Sequence, residues 1–218
     1  MARPYSGYKN AAGDRIPGTT TIIGRFKESG GLLQWAFKQG QTGAATLYEE
    51  RDRAAEAGTL AHDFIECAIL GREKPVIPAG TSDEILAKAM NAFAQFEEWR
   101  DQTRIKIVAT EKSYVSEALQ FGGTVDAMGL NAKGQYVLLD WKTSNAIYQD
   151  YLVQLAAYAL LLEECSDYRI EGFHLLRVSK ENADFAHHYF GELEEAKTAF
   201  KLMRQLYDID KNLKKRAA

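Results

Sequence analysis

Three observations predict an α/β fold for the 218-residue chain. Hydrophobic spacing is helical over the first hundred residues and switches to period two after residue 104, and a long apolar helical run then separates two groups of strand-like segments. No internal repeat and no Pro/Ser-rich linker divides the chain, and 46% hydrophobic with 26% charged residues is enough to bury a sizeable core. Residues 1–218 are therefore read as one domain: a mainly helical lobe over 1–103, an α/β core over 104–210 and a basic tail over 211–218.

After a polar start, residues 31–39 (GLLQWAFKQ) predict a short helix and 41–57 a second, Ala-rich and charged one. Thr59 is placed to cap a third helix over 60–70. Ser82, followed by Asp83 and Glu84, opens a fourth that reaches about Arg100 with Ile85, Ala89, Phe93 and Phe96 at helical spacing. Residues 104–118 then predict two short strands or one bent one, and 122–130 another, joined to 135–142 (QYVLLDWK) by the turn Asn131-Ala132-Lys133-Gly134. A helix at about 147–164, strands near 170–178 and 184–190, and a helix from about 192 to 208 complete the pattern.

The net charge of −3 argues against a uniform basic coat, yet the charges are segregated. Residues 1–40 carry six Lys/Arg and two Asp/Glu, residues 201–218 again six and two, and the middle fifteen and twenty-six. Cys67 and Cys165, each in an apolar stretch, read as two buried free thiols and support no disulfide framework or four-cysteine metal site. With no apolar signal core at the start and no apolar run longer than Leu155 to Leu162, the expectation is a soluble intracellular protein with no membrane partner. Gly13 to Thr20 has the glycine spacing of a phosphate-binding loop, but Thr19 stands where the lysine would reach the phosphates.

In QYVLLDWK the side chains alternate, so Leu138, Asp140 and Lys142 share one face and Leu139 and Trp141 the other. Thr124, Asp126 and Met128 share a face of the preceding strand, and the short turn between the strands brings Asp126 near Asp140. Two adjacent carboxylates repel unless a cation separates them, and a hard divalent ion such as Mg²⁺, which also holds phosphate oxygens, suits oxygen ligands. Such an assembly hydrolyses phosphodiesters, with Lys142 orienting the attacking water and offsetting charge. A surface cross-strand ion pair is the alternative for the same three residues.

Asp126 followed by Asp140-Trp141-Lys142 resembles the signature of the PD-(D/E)XK nuclease superfamily. Further features resemble its RecB-like exonuclease branch: the glycine-rich lead Gly122-Gly123-Thr124-Val125, the Thr143-Ser144 pair after the lysine, Gln154 and Tyr158 as Q-x-x-x-Y, and Gly58-Thr59-Leu60-Ala61-His62 upstream. The naming proline is replaced by Val125, and the cysteines that hold an iron–sulfur cluster in some relatives are missing, so no such cluster is expected.

The resemblance implies a restriction-endonuclease-like core, a central mixed sheet flanked by helices. It implies Mg²⁺ dependence, with Mn²⁺ as a substitute, and metal ligation by His62, Asp126, Asp140 and the Trp141 backbone carbonyl. Glu111 resembles an acidic residue common at that point of the branch, with a solvated edge-strand glutamate as the alternative. Asp126, Asp140, Lys142, Gln154 and Tyr158 are the expected catalytic set, the last two by hydrogen-bonding the site's backbone or a DNA phosphate. Thr143 and Ser144 are expected to contact phosphate or cap the next helix, and Arg25, Lys27, Lys38, Arg51 and Arg53 to be candidate DNA contacts from the helical lobe. Trp35, Trp141 and Tyr148 are candidate stacking surfaces, while His174, His187 and His188 read as structural.

The implied activity is a deoxyribonuclease, and an exonuclease before a structure- or sequence-specific endonuclease, in recombination, repair or phage DNA processing. Its expected partners are single-stranded DNA or duplex ends and a recombination or single-strand-annealing protein. A non-catalytic DNA-binding module on the same fold is the alternative from another class.

Overall fold

The computed structural model describes residues 7–27, 34, 37, 40, 41, 47–144 and 146–217, with side chains for all of these except 47–51. Most of the helix expected at 31–39 lies outside the described residues, as do Trp35, Lys38 and the Arg51 side chain. Along the chain come β1 (Tyr8–Lys9), β2 (Arg15–Ile16), α1 (Thr19–Phe26), α2 (Leu47–Leu70), α3 (Asp83–Gln102), β3 (Lys106–Ser116), β4 (Phe121–Leu130), β5 (Tyr136–Lys142), α4 (Gln149–Cys165), β6 (Ile170–Val178), β7 (Phe185–Phe190) and α5 (Glu194–Ala217).

Five strands form one sheet in the order β3-β4-β5-β6-β7. All neighbours are antiparallel except β5 and β6, which run parallel and are joined by the α4 crossover that parallel pairing requires. Helices cover both faces. On one, Val125, Met128, Leu138, Phe173 and Leu175 pack with α1, α4 and Phe200 of α5. On the other, Ala127, Val137, Leu139, Trp141 and Leu176 pack with Leu60, Phe64 and Ile65 of α2 and Phe96 and Trp99 of α3. Each such fully buried large side chain contributes about 1.5–3 kcal/mol, so these two layers hold the sheet in place. Buried at every position from Val153 to Leu162, α4 is apolar on nearly every side, Gln154 and the Tyr158 hydroxyl excepted, as a helix enclosed by sheet and helices must be.

Most elements match the sequence pattern, and the differences have local causes. Ser82 caps α3, accepting the Ile85 N–H at 3.3 Å, with Asp83 and Glu84 in the first turn. Thr59 caps nothing: α2 runs unbroken through Gly58, and the Thr59 hydroxyl donates to the Ala55 carbonyl one turn back. Residues 106–116 form one bent strand, with a register shift between Ile107 and Ala109 and a left-handed Glu111 (φ 49°). The last helix continues to Ala217, supported by Arg204–Asp208 and Lys214–Asp210 pairs and by Lys214, Lys215 and Arg216 at its negative end. The basic tail is therefore helical. Cys67 is half-buried and Cys165 exposed, against the expectation of two buried thiols.

The sequence pattern also missed the hairpin β1–β2, whose two-residue strands are too short to show alternation. Its turn closes through Gly13 at φ 87° and an Asp14 N–H to Asn10 Oδ1 bond. The chain then bridges from Gly18 to Gly122 at the start of β4.

Candidate active site

The site arises where β4 and β5 part. Their pairing stops at Ala127↔Leu139, although the same register would set Asp126 opposite Asp140. The Trp141 N–H, left without a backbone partner in β4, donates instead to Asp126 Oδ2 at 3.4 Å. Asp126 does not continue the expected alternation: Val125 and Met128, three residues apart, pack into the same core, so β4 bends at the carboxylate. In β5 the alternation holds, with Leu138 in one core and Leu139 and Trp141 in the other.

Asp140 is wholly buried. Lys142 Nζ straddles its carboxylate, 2.7 Å from Oδ1 and 2.6 Å from Oδ2, and sits 5.4 Å from the centre of the Tyr151 ring. Burial pushes the Asp140 carboxyl up to about 8, because the favourable charge of Lys142 is offset by the like charge of Asp126. Burial also disfavours the Lys142 ammonium, but Asp140 and Asp126 outweigh it and raise its pKa. Two carboxyl groups beside one ammonium cannot both ionise without leaving uncompensated negative charge, which holds the Asp140 proton in place until a divalent cation relieves it.

From α4, Gln154 Nε2 donates to Asp140 Oδ1 at 3.3 Å and to the Tyr158 hydroxyl at 2.8 Å. Gln154 thus contacts the Asp140 side chain rather than the site's backbone, and Tyr158 reaches it only through Gln154. Burial, then Asp126 and Asp140, holds the Tyr158 phenol well above its usual range, so it stays protonated. The glycine lead is a packing requirement: a Cβ on Gly122 would lie 2.2–2.6 Å from Tyr8, and one on Gly123 within 3.0 Å of Thr19, Leu161 and Tyr158. Tyr8 in turn hydrogen-bonds Thr124, which also bonds Ser113.

His62, Glu111 and Asp126 bring ligand atoms within 4.8 Å of one another. Glu111 reaches this position through its left-handed backbone, a conformation that costs a non-glycine residue about 1–3 kcal/mol and that persists only where surroundings impose it. Oxygen-rich with one imidazole, the set fits Mg²⁺ or Mn²⁺. One contact opposes the fit: the buried Trp141 indole N–H donates to His62 Nδ1 at 3.1 Å, so His62 must turn or release that bond before it ligates. The same burial removes Trp141 as a stacking surface for bases.

Around this cluster is a cavity of about 580 Å³. Gly58, Thr59, His62, Glu111, Asp126, Lys142, Thr143, Ser144, Tyr151, Gln154 and Lys180 all line it. Gly58 is bare because Thr143 Oγ1 lies 2.8 Å from where its Cβ would be. Neither Thr143 nor Ser144 caps α4, whose cap is Tyr148 with no side-chain bond; Ser144 donates to the Ala146 carbonyl. Tyr8, Tyr151 and Lys180 belong to the site's surroundings and escaped sequence reasoning; Gly122, bare where a Cβ would strike the Tyr8 ring, was the one signal of a close neighbour there. Arg25 is drawn away to Asp210 of α5, Lys27 pairs with Asp150, and Arg53 lies on the exposed face of α2 outside the cavity lining. His174 and His187 bond each other at 2.8 Å on β6 and β7, also outside the lining.

A sequence profile of the PD-(D/E)XK nuclease superfamily matches residues 32–216. The chain belongs to this nuclease superfamily. The mixed five-strand sheet flanked by helices is the architecture expected of a PD-(D/E)XK member. No curated protein matches the sequence. Solved structures similar to this PD-(D/E)XK chain include SSO0001, at 15% identity and TM-score 0.37, covering 56% of this chain and 57% of that one. Another is a protein of Eubacterium rectale named "Putative exonuclease", at 14% identity and TM-score 0.45, covering 67% and 64%. The chain spans less than two thirds of the length of either. Among the described residues, no helix is long and apolar enough to cross a membrane.

Proposed function

We propose that the protein is a divalent-metal-dependent deoxyribonuclease, acting as an exonuclease on single-stranded DNA or duplex ends. The observation that carries this reading is the buried meeting of Asp126 and Asp140 beside Lys142, with Glu111 and His62 facing the same cavity. Asp126, Glu111 and His62, with Asp140 and the Trp141 carbonyl behind them, would hold the cation. Bound there, it supplies Lewis-acid stabilisation of phosphoryl charge and a lowered pKa for a water molecule.

The chain's own groups do the positioning. Lys142, fixed by both oxygens of Asp140 and by the Tyr151 ring, presents an ammonium that orients the attacking water and offsets charge on the phosphoryl oxygens. Gln154 holds Asp140 from α4, and the Tyr158 hydroxyl holds Gln154 in turn, so the two position the buried carboxyl. Thr143 and Ser144 offer hydroxyls to phosphate, and the exposed Tyr148 offers a ring to a base. The order of His62, Asp126, Asp140, Lys142, Gln154 and Tyr158 supports a RecB-like exonuclease in recombination, repair or phage DNA processing, working with a recombination or single-strand-annealing protein.

Digestion of end-labelled linear and circular DNA, single- and double-stranded, in Mg²⁺, Mn²⁺ or chelator tests the reading. Linear strands should shorten from an end only with the cation, circles should survive, and Asp140→Ala should abolish cleavage while retaining its circular dichroism. Cut circles would make the enzyme an endonuclease, and intact substrates with either cation would overturn the nuclease assignment.

A further inference from the structure

The helix α5 has two apolar faces. Phe200 and the half-buried Ala196, Met203 and Tyr207 pack inward on the core. On the opposite side stand Leu202, Leu206, Ile209 and Leu213, exposed by 60%, 47%, 54% and 58%. Their spacings of four, three and four residues are those of a heptad seam, so the four side chains form one stripe along the helix. None has a role in this domain's core, and no residue of α5 lines the active-site cavity.

Charge along the same helix says what fits. Its first turn carries Glu194 and Glu195 and its last Lys214, Lys215 and Arg216. A second α5 laid antiparallel, with Leu206 against Ile209 and Leu202 against Leu213, sets each acidic end beside the partner's basic end and opposes the two helix dipoles. In that register Arg216 falls opposite Ala199 of the other copy, one turn from Glu195. A parallel pairing would stack like charges at both ends.

We propose that α5 is a homodimerisation surface, joining two copies of this chain through an antiparallel seam of Leu202, Leu206, Ile209 and Leu213. A 24-residue helix is about 36 Å long and 10–12 Å across, a footprint of roughly 400 Å² per copy, which places the contact among the smaller, reversible interfaces. The two active-site cavities stay open.

Sedimentation velocity of the full chain from low to high micromolar concentration reads this directly. The mass should double with concentration, and Leu206→Glu with Ile209→Glu should remain monomeric with unchanged helical circular dichroism. Glu195→Arg and Arg216→Glu should each weaken the dimer at least several-fold, and the two together should restore it. A wild-type chain that stays monomeric, even one that binds phospholipid vesicles through this stripe, overturns the proposal. So does a Leu206→Glu/Ile209→Glu chain that still dimerises; failure of the charge swap to restore affinity overturns the antiparallel seam.

Discussion

Asp140→Asn should stabilise the metal-free protein, and do so more as pH rises. Asp140 is 0% exposed, and its carboxyl is raised to about 8 from an ordinary 3.8, first by burial and then by Asp126 against the pull of Lys142. An acid whose folded-state pKa lies above its unfolded value binds more protons when folded, so stability is intact below pH 4 and is lost as pH climbs through 8. At pH 7 the unfolded carboxyl is ionised and the folded one mostly protonated, a difference of about three pKa units and so roughly 4 kcal/mol; at pH 9 it is roughly 6. Relaxation around the site and loss of the Asp140–Lys142 ion pair, which leaves Asp126 as the ammonium's charged partner, cut into that ceiling, and about half of it is expected in a measurement. For a chain of this size, 2–3 kcal/mol corresponds to a rise in Tm of roughly 5–10 °C. The assay is thermal unfolding in chelator at pH 5, 7 and 9, wild type against Asp140→Asn, repeated with Mg²⁺. The gap should widen with pH in chelator and narrow with Mg²⁺, which stabilises only the wild type. A gap independent of pH, or an asparagine variant less stable at pH 9, would refute the reasoning.

Other substitutions probe the residues around Asp140. Gln154→Ala strips Asp140 Oδ1 of one donor and leaves the Tyr158 hydroxyl unpartnered, so the cleavage rate or Mg²⁺ affinity should fall roughly 10–100-fold with the fold intact, as read by initial rates across a Mg²⁺ series. Gly123→Ala forces a methyl against Thr19, Leu161 and Tyr158 and should cost about 1–3 kcal/mol in urea unfolding. Glu111→Gly releases the left-handed backbone strain and should raise metal-free stability by about 1 kcal/mol while weakening the thermal response to Mg²⁺. If Glu111 is merely an edge-strand residue, the Mg²⁺ response will not change.

How far the site could be read from residues alone depended on whether the backbone stayed regular. In β5 it did, so the alternation of Leu138, Asp140 and Lys142 against Leu139 and Trp141 put each side chain on its correct face. In β4 it did not. The bend that places Val125 and Met128 in one core is produced by the parting strands and by the left-handed Glu111 beside them, and neither has a period-two signature. Helix ends failed for a similar reason. Thr59 has the chemistry of a cap, but packing of Leu60, Phe64 and Ile65 on the sheet carries α2 straight through it. The contact between Gly58 and Thr143 joins residues 85 positions apart and could only be seen once folded.

The same parting of strands explains why the site sits where it does. Had β4 and β5 paired to their ends, Asp126 would face Asp140 across a closed ladder and the Trp141 N–H would be bonded to backbone. Instead a carboxylate takes that N–H, and the gap becomes the cavity. Thr143 and Ser144 follow the carboxyl end of β5, and Lys180 follows that of β6, the two parallel strands of the sheet. Tyr151 and Gln154 come from the opening turns of α4, whose N-terminal, electropositive end also points toward this edge. A βαβ crossover thus gathers one helix's positive end and two strand ends at a single edge, the place where open α/β sheets take ligands. On the proposed reading, an anionic phosphate entering there would meet the helix dipole, Lys142 and Lys180, and the buried carboxylates beneath would attract it only through a cation. Asp126→Asn keeps an acceptor for the Trp141 N–H but removes one negative charge, so it should hold the strands apart as before and lose the thermal response to Mg²⁺. Loss of the fold in that variant would mean that the charge itself, and not the hydrogen bond, keeps β4 and β5 in this arrangement.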